Sequence, residues 1–208
     1  MQKYSLMNAP NAITTYPHAR LQDWTPQFAP GRIDRLYLHW SAGNYTDVFP
    51  AYHFCVALDE SGSVTVVQTN RIEANMREVR ENPDSPYAAH TRGRNSYALG
   101  LSIMSMRAAT PGDFGAYPLT PPLIDGLCAV AAELASFYDI AVDASHVMTH
   151  AEAAVADGYF GAGENERWDI ARLSASAQPL EPAQATQVGN VLRTGILTAK
   201  PRAHHTGP

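Results

Sequence analysis

Two histidines and an aspartate in this chain could hold a metal. His39 closes the apolar run Ile33-Asp34-Arg35-Leu36-Tyr37-Leu38-His39, His150 closes Val147-Met148-Thr149-His150, and Asp169 ends Arg167-Trp168-Asp169. Two imidazoles and a carboxylate leave the fourth corner of a tetrahedron open, which is the donor set of a catalytic zinc centre. A plainer reading exists for the same residues. In it, His39 and His150 are satisfied core histidines, and Asp169 caps a helix over Ile170-Ala171-Arg172-Leu173. With eight histidines in 208 residues, spacing alone does not separate these readings, so the elements that position the residues must.

Leu36 and Leu38 alternate with Tyr37 and His39, so a strand that turns the leucines inward delivers His39 on its other face, at its C-terminal end. The β-rich runs 51–59 and 63–69, joined by Glu60-Ser61-Gly62, predict a hairpin with Tyr52 near its start. A polar, Pro-containing surface stretch covers 71–94, and 97–104 predicts a buried strand. After a Pro- and Gly-rich loop over 109–122, Thr120-Pro121-Pro122 opens a helix whose apolar stripe is Leu123, Leu127, Val130, Leu134 and Phe137. Residues 143–149 predict a short strand, 151–156 one or two helical turns, 157–166 a Gly-containing loop and 182–199 a last helix.

The length fits one domain, and a hydrophobic content of 45% supplies a core. The expected organisation is an irregular lead-in over 1–32, a catalytic domain over 33–200 and a disordered tail over 201–208, whose His204 and His205 are set aside as a frayed terminus. A formal net charge of -5 without a basic cluster argues against nucleic acid and anionic membranes as partners. Cys55 and Cys128 stand apart in apolar surroundings and read as buried free thiols. The start of the chain has no apolar signal-peptide core, and no long apolar run follows. The expectation is therefore synthesis in the cytoplasm, no membrane insertion, and any export by another route.

The order of these segments resembles the zinc-dependent N-acetylmuramoyl-L-alanine amidases, the family shared by phage lytic amidases and peptidoglycan recognition proteins. The likeness runs from about 33 to 173. It consists of Leu38-His39-Trp40-Ser41-Ala42, then Tyr52-His53-Phe54, then His90-Thr91-Arg92-Gly93-Arg94-Asn95 leading into a buried strand, then Thr149-His150, then Arg167-Trp168-Asp169. The resemblance implies an α/β fold, a single domain with a central mixed β-sheet flanked by helices. It further implies one zinc ion per chain held by His39, His150 and Asp169, which would activate water and polarise the scissile carbonyl. Tyr52 and Arg167 would be the catalytic residues, Tyr52 bonding the attacking water or intermediate and Arg167 supplying fixed positive charge.

His90, Asn95 and Trp40 are candidates for binding the stem peptide or sugar. For each a structural role competes: a loop histidine, an asparagine tying a turn to its backbone, and packing or shielding of the metal by Trp40 and Trp168. His53 should point away from Tyr52 and be structural. Three departures from the family pattern stand out: the long stretch with Gly158, Gly161 and Gly163 before Asp169, Ser102 where recycling amidases carry glutamate, and Arg167 where lysine is commoner. The implied activity is hydrolysis of the amide between N-acetylmuramic acid and L-alanine, on peptidoglycan or muropeptide, in a phage or prophage endolysin. The alternatives are a cytoplasmic muropeptide-recycling amidase and a non-catalytic peptidoglycan-binding module.

Overall fold

The computed structural model describes residues 19–24 and 28–199. The tail over 201–208 and most of the lead-in over 1–32 lie outside the described residues. Six strands form one mixed sheet: β1 (Ala19–Arg20), β2 (Arg35–Trp40), β3 (Phe54–Leu58), β4 (Val64–Gln68), β5 (Ala98–Ile103) and β6 (Val147–Thr149). Their order across the sheet is β1-β4-β3-β5-β2-β6. The β1–β4 and β3–β4 pairs are antiparallel, and β5 and β6 flank β2 in parallel. Three helices complete the domain: α1 (Pro121–Phe137), α2 (His150–Asp157) and α3 (Pro182–Thr198). Among the described residues, no helix is long and apolar enough to cross a membrane.

The period-2 rule divides the central strands between two faces. Leu36, Leu38 and Trp40 of β2, Leu99, Leu101 and Ile103 of β5, and Phe54 and Val56 of β3 share one hydrophobic cluster with Leu123, Leu127, Val130 and Leu134 of α1. The residues between them look the other way. Tyr37 and His39 pair in register with Gly100 and Ser102, and Ser102 pairs onward with Cys55. Both cysteines are free and buried, and burial pushes the Cys55 thiol up to about 12 and the Cys128 thiol up to about 11.

The hairpin closes where Asp59 accepts hydrogen bonds at Oδ1 from the N–H groups of Ser61 (2.9 Å) and Ser63 (2.9 Å). Several boundaries differ from the sequence expectation. The lead-in contributes β1, a two-residue strand on the sheet edge. Within the run 143–149 only Val147–Thr149 is strand, because Asp143 Oδ1 accepts from the N–H groups of Ser145 (2.8 Å) and His146 (3.0 Å) and makes a turn of the rest. Thr120 occupies the cap position of α1 without a side-chain cap bond. Phe137 leaves the α1 stripe: it is 43% exposed and stacks on Phe28, with ring centroids 4.0 Å apart.

Candidate metal centre

His39 reaches the site because β2 turns its leucines toward α1 and ends one residue later. The ring is wholly buried. His150 is the first residue of α2, placed there by a reciprocal cap. Thr149 Oγ1 accepts from the N–H of Glu152 (3.1 Å), and Glu152 Oε2 accepts from the N–H of Thr149 (2.9 Å). Arg193 of α3 grips the same carboxylate at 2.9 and 3.0 Å and donates to the Val147 carbonyl at 2.8 Å. The start of α2 is thereby tied to β6 and α3 together.

Asp169 arrives by a longer path. Gly158 ends α2 in the left-handed conformation, φ 75°. The chain then folds back on itself through Arg167 N–H to Tyr159 O (3.0 Å) and Gly161 N–H to Arg167 O (3.2 Å). The glycine-bearing stretch is thus a small hairpin that returns Asp169 to the head of α2, where the N–H of Ala151 donates to its carbonyl at 2.5 Å. Residues 170–173 form no helix, so Asp169 caps none. Arg172, 4% exposed, instead anchors the following loop by donating to the carbonyls of Pro111, Ser176, Gln178 and Pro179.

The side chains of His39, His150 and Asp169 converge, with their candidate ligand atoms all within 4.8 Å of one another. His39 Nδ1 and His150 Nδ1 each lie 3.1 Å from Asp169 Oδ2. Around a tetrahedral zinc with bonds of about 2.0–2.1 Å, neighbouring ligand atoms stand about 3.3 Å apart, so both separations fit a shared cation. The protonation states fit as well. Burial lowers the His39 imidazole to about 4 against the opposing bond to Asp169, leaving it neutral at pH 7. Burial also works against ionisation of Asp169, but the neighbouring His150 and the hydrogen bonds from both histidines outweigh it and hold the carboxyl well below its usual range. Two other carboxylates of the stretch between His150 and Asp169 are engaged elsewhere: Asp157 pairs with Arg94 at 2.6 and 2.7 Å, and Glu166 accepts from the N–H of Gly163 at 2.8 Å.

Tyr52 stands in the bend before β3, its ring centroid 5.1 Å from that of His39 and its hydroxyl donating to the Trp40 carbonyl at 3.3 Å. Arg167 is half-buried and donates to the carbonyls of Glu166 (2.6 Å) and Glu164 (3.3 Å), binding its own loop rather than the carboxylates of those residues. Asn95 accepts at Oδ1 from the N–H groups of both His90 (3.1 Å) and Thr91 (2.9 Å), which is the turn-tying role. His90 is 6% exposed and lies beneath the site rather than at an open groove. Trp40 is 7% exposed, edge-on to Trp168 with centroids 4.5 Å apart, so it packs and offers no open stacking face. His53 is fully buried, accepts at Nδ1 from the N–H of Gly100 (3.1 Å), and is lowered to about 3 by burial.

Sequence reasoning missed the supports. The Thr149-His150-Ala151-Glu152 string carries the legible capping-box signature. Arg193 carries no comparable local signal toward Glu152 and Val147, nor Thr91 toward His39, because these partners lie far away in sequence.

No family model matches the chain, and no curated protein matches it. Among solved structures, the chain is similar to the N-acetylmuramyl-L-alanine amidase AmiD from E. coli, in complex with the substrate anhydro-N-acetylmuramic acid-L-Ala-D-gamma-Glu-L-Lys. The two are 18% identical, with a TM-score of 0.35, over 62% of this chain and 52% of that one. The chain therefore spans about half the length of the structure it matches.

Proposed function

We propose that this protein is a zinc-dependent N-acetylmuramoyl-L-alanine amidase that cleaves the bond between the lactyl group of N-acetylmuramic acid and the L-alanine of the stem peptide. The observation that carries the proposal is the shared approach of His39 Nδ1 and His150 Nδ1 to Asp169 Oδ2. It is supported by the ordered sequence blocks in which these residues stand, and by the named activity and substrate of AmiD.

His39, His150 and Asp169 would hold the ion, which supplies Lewis acidity and a nucleophile at neutral pH. The protein's own work is positional. Burial keeps His39 uncharged, so its lone pair is available as a ligand. Tyr52, beside His39, donates a hydrogen bond to the oxygen of the attacked amide by exchanging the Trp40 carbonyl for the substrate. Arg167 contributes a positive charge held by loop carbonyls and steadies the developing negative charge.

The proposed setting is a phage or prophage lytic enzyme, made in the cytoplasm and acting on the wall after release across the inner membrane. Ser102 favours this setting over muropeptide recycling: it faces His39 across the β2–β5 pair where the recycling branch carries glutamate, and its hydroxyl donates to the Ile103 carbonyl at 3.4 Å. Digestion of purified sacculi followed by mass spectrometry tests the proposal. Release of peptides with free L-alanine amino ends is expected. Cleavage confined to soluble anhydro-muropeptides would move the enzyme to recycling. Stoichiometric binding of peptidoglycan without cleavage, by protein containing one zinc per chain, would make it a recognition module.

A further inference from the structure

Behind His39 runs a chain of hydrogen bonds that the proposed chemistry does not use. His39 Nε2 lies 3.2 Å from Thr91 Oγ1, Thr91 Oγ1 lies 3.0 Å from His90 Nδ1, and His90 Nε2 lies 3.4 Å from the carbonyl oxygen of Ala98. His39, His90 and Thr91 are buried at 0%, 6% and 1% exposure, so water does not substitute for these partners.

In the metal-bound centre the direction of the chain is set at its far end. The Ala98 carbonyl only accepts, so His90 must carry its proton on Nε2 and present a bare Nδ1 to Thr91. The single hydroxyl proton of Thr91 then goes to His90 Nδ1, and the oxygen is left to accept from His39 Nε2–H. In the reverse direction, the bare His90 Nε2 would face the Ala98 carbonyl, placing two acceptors against each other in a buried site. With a cation held between His39 Nδ1 and Asp169 Oδ2 in place of the proton that otherwise joins them, a proton on Nε2 of His39 leaves the Nδ1 lone pair free to bind it.

We infer that the Ala98 carbonyl, His90 and Thr91 form a tautomer-setting relay that prepares His39 Nδ1 as a metal ligand, with Thr91 as the positioning residue in contact with the ring. The inference rests on the zinc reading above. Two further features are built around the relay. Asn95 clamps the backbone of both relay residues through the bonds already described. Gly100 leaves room for the His90 ring, since a Cβ at that position would stand 2.4 Å from its Cγ.

The test is zinc affinity measured by chelator competition on the wild type, Thr91→Val and Thr91→Ser, alongside the Nε2–H signal of His39 in zinc-loaded, nitrogen-15-labelled protein. Loss of a hydrogen bond behind a metal-binding histidine weakens binding roughly 10- to 100-fold. That loss is expected in Thr91→Val, with a fast-exchanging Nε2 proton, and wild-type affinity and slow exchange are expected in Thr91→Ser. Thr91→Ala, which tolerates the same site without a branched side chain, should show the loss if Thr91→Val does not fold. Unchanged affinity in a folded hydroxyl-free variant overturns the relay while leaving the metal centre standing. Absence of zinc from the wild type overturns the metal reading and the relay with it.

Discussion

At the scale of single residues, the site depends on how few atoms have alternatives. Asp169 Oδ2 is approached by two imidazole nitrogens, and the nearby carboxylates Asp157 and Glu166 are already engaged by an arginine and a backbone amide. Tyr52 differs in holding its partner loosely: its hydroxyl donates to the Trp40 carbonyl at a long 3.3 Å, and its ring stands beside His39. Deleting a donor aimed at developing negative charge costs roughly 100-fold or more in kcat. Tyr52→Phe is therefore expected to lower turnover on sacculi by about two orders of magnitude while keeping a full complement of zinc. Turnover equal to wild type would remove Tyr52 from the mechanism. His39 was legible in the sequence because alternation along β2 fixes its face. Thr91, His90 and Asn95 were legible as a block but not as a hydrogen-bonded support, since their roles depend on β2 and β5 lying side by side.

At the scale of elements, the placement of His150 depends on a buried ion pair linking α2 to α3. Glu152 and Arg193 are 8% and 6% exposed, and Glu152 also completes the cap on Thr149. Two buried opposite charges with good geometry roughly offset their own desolvation, but one left alone does not. Arg193→Met is expected to lower folding stability by about 3–5 kcal/mol in urea titrations, because it strands the Glu152 carboxylate. Adding Glu152→Gln should recover part of that loss by removing the stranded charge. A double variant less stable than the single one would show that the cap, not the ion pair, dominates here. The sequence announces β2, the hairpin, β5 and the long helices because each carries its own periodicity. It does not announce β1, which is two residues long and exists by pairing with β4, nor the hairpin that returns Asp169, whose closure is set by backbone bonds.

At the scale of the whole molecule, the site face of the sheet concentrates neutral histidines, and this makes stability depend on pH. His39 is lowered to about 4, His53 to about 3, and His90 well below its ordinary value, in each case chiefly by burial. In the unfolded chain these rings take up protons near pH 6.5, so stability is fully present above that value and is lost as pH falls toward 4 and below. Asp169, depressed below its ordinary value, adds to the loss at still lower pH. At pH 5 His39 and His53 should each cost on the order of 2 kcal/mol relative to pH 7.5, with His90 adding in the same direction, visible as a falling urea midpoint in metal-free protein. A midpoint that stays level across this window would mean that the histidines are not buried neutral in solution. Zinc provides the complementary measurement, because its proposed ligands come from β2, the head of α2 and the return of the following hairpin, and meet only in the folded chain. Free zinc at 100 times its dissociation constant stabilises a fold by about 2.7 kcal/mol, equivalent to about 5–10 °C in Tm for a domain of this size. Wild-type protein at pH 7.5 should show that rise over chelator-treated protein in calorimetry, and His39→Ala should show almost none. Equal shifts in both would mean that zinc binds elsewhere and that His39, His150 and Asp169 are joined only by the hydrogen bonds between them.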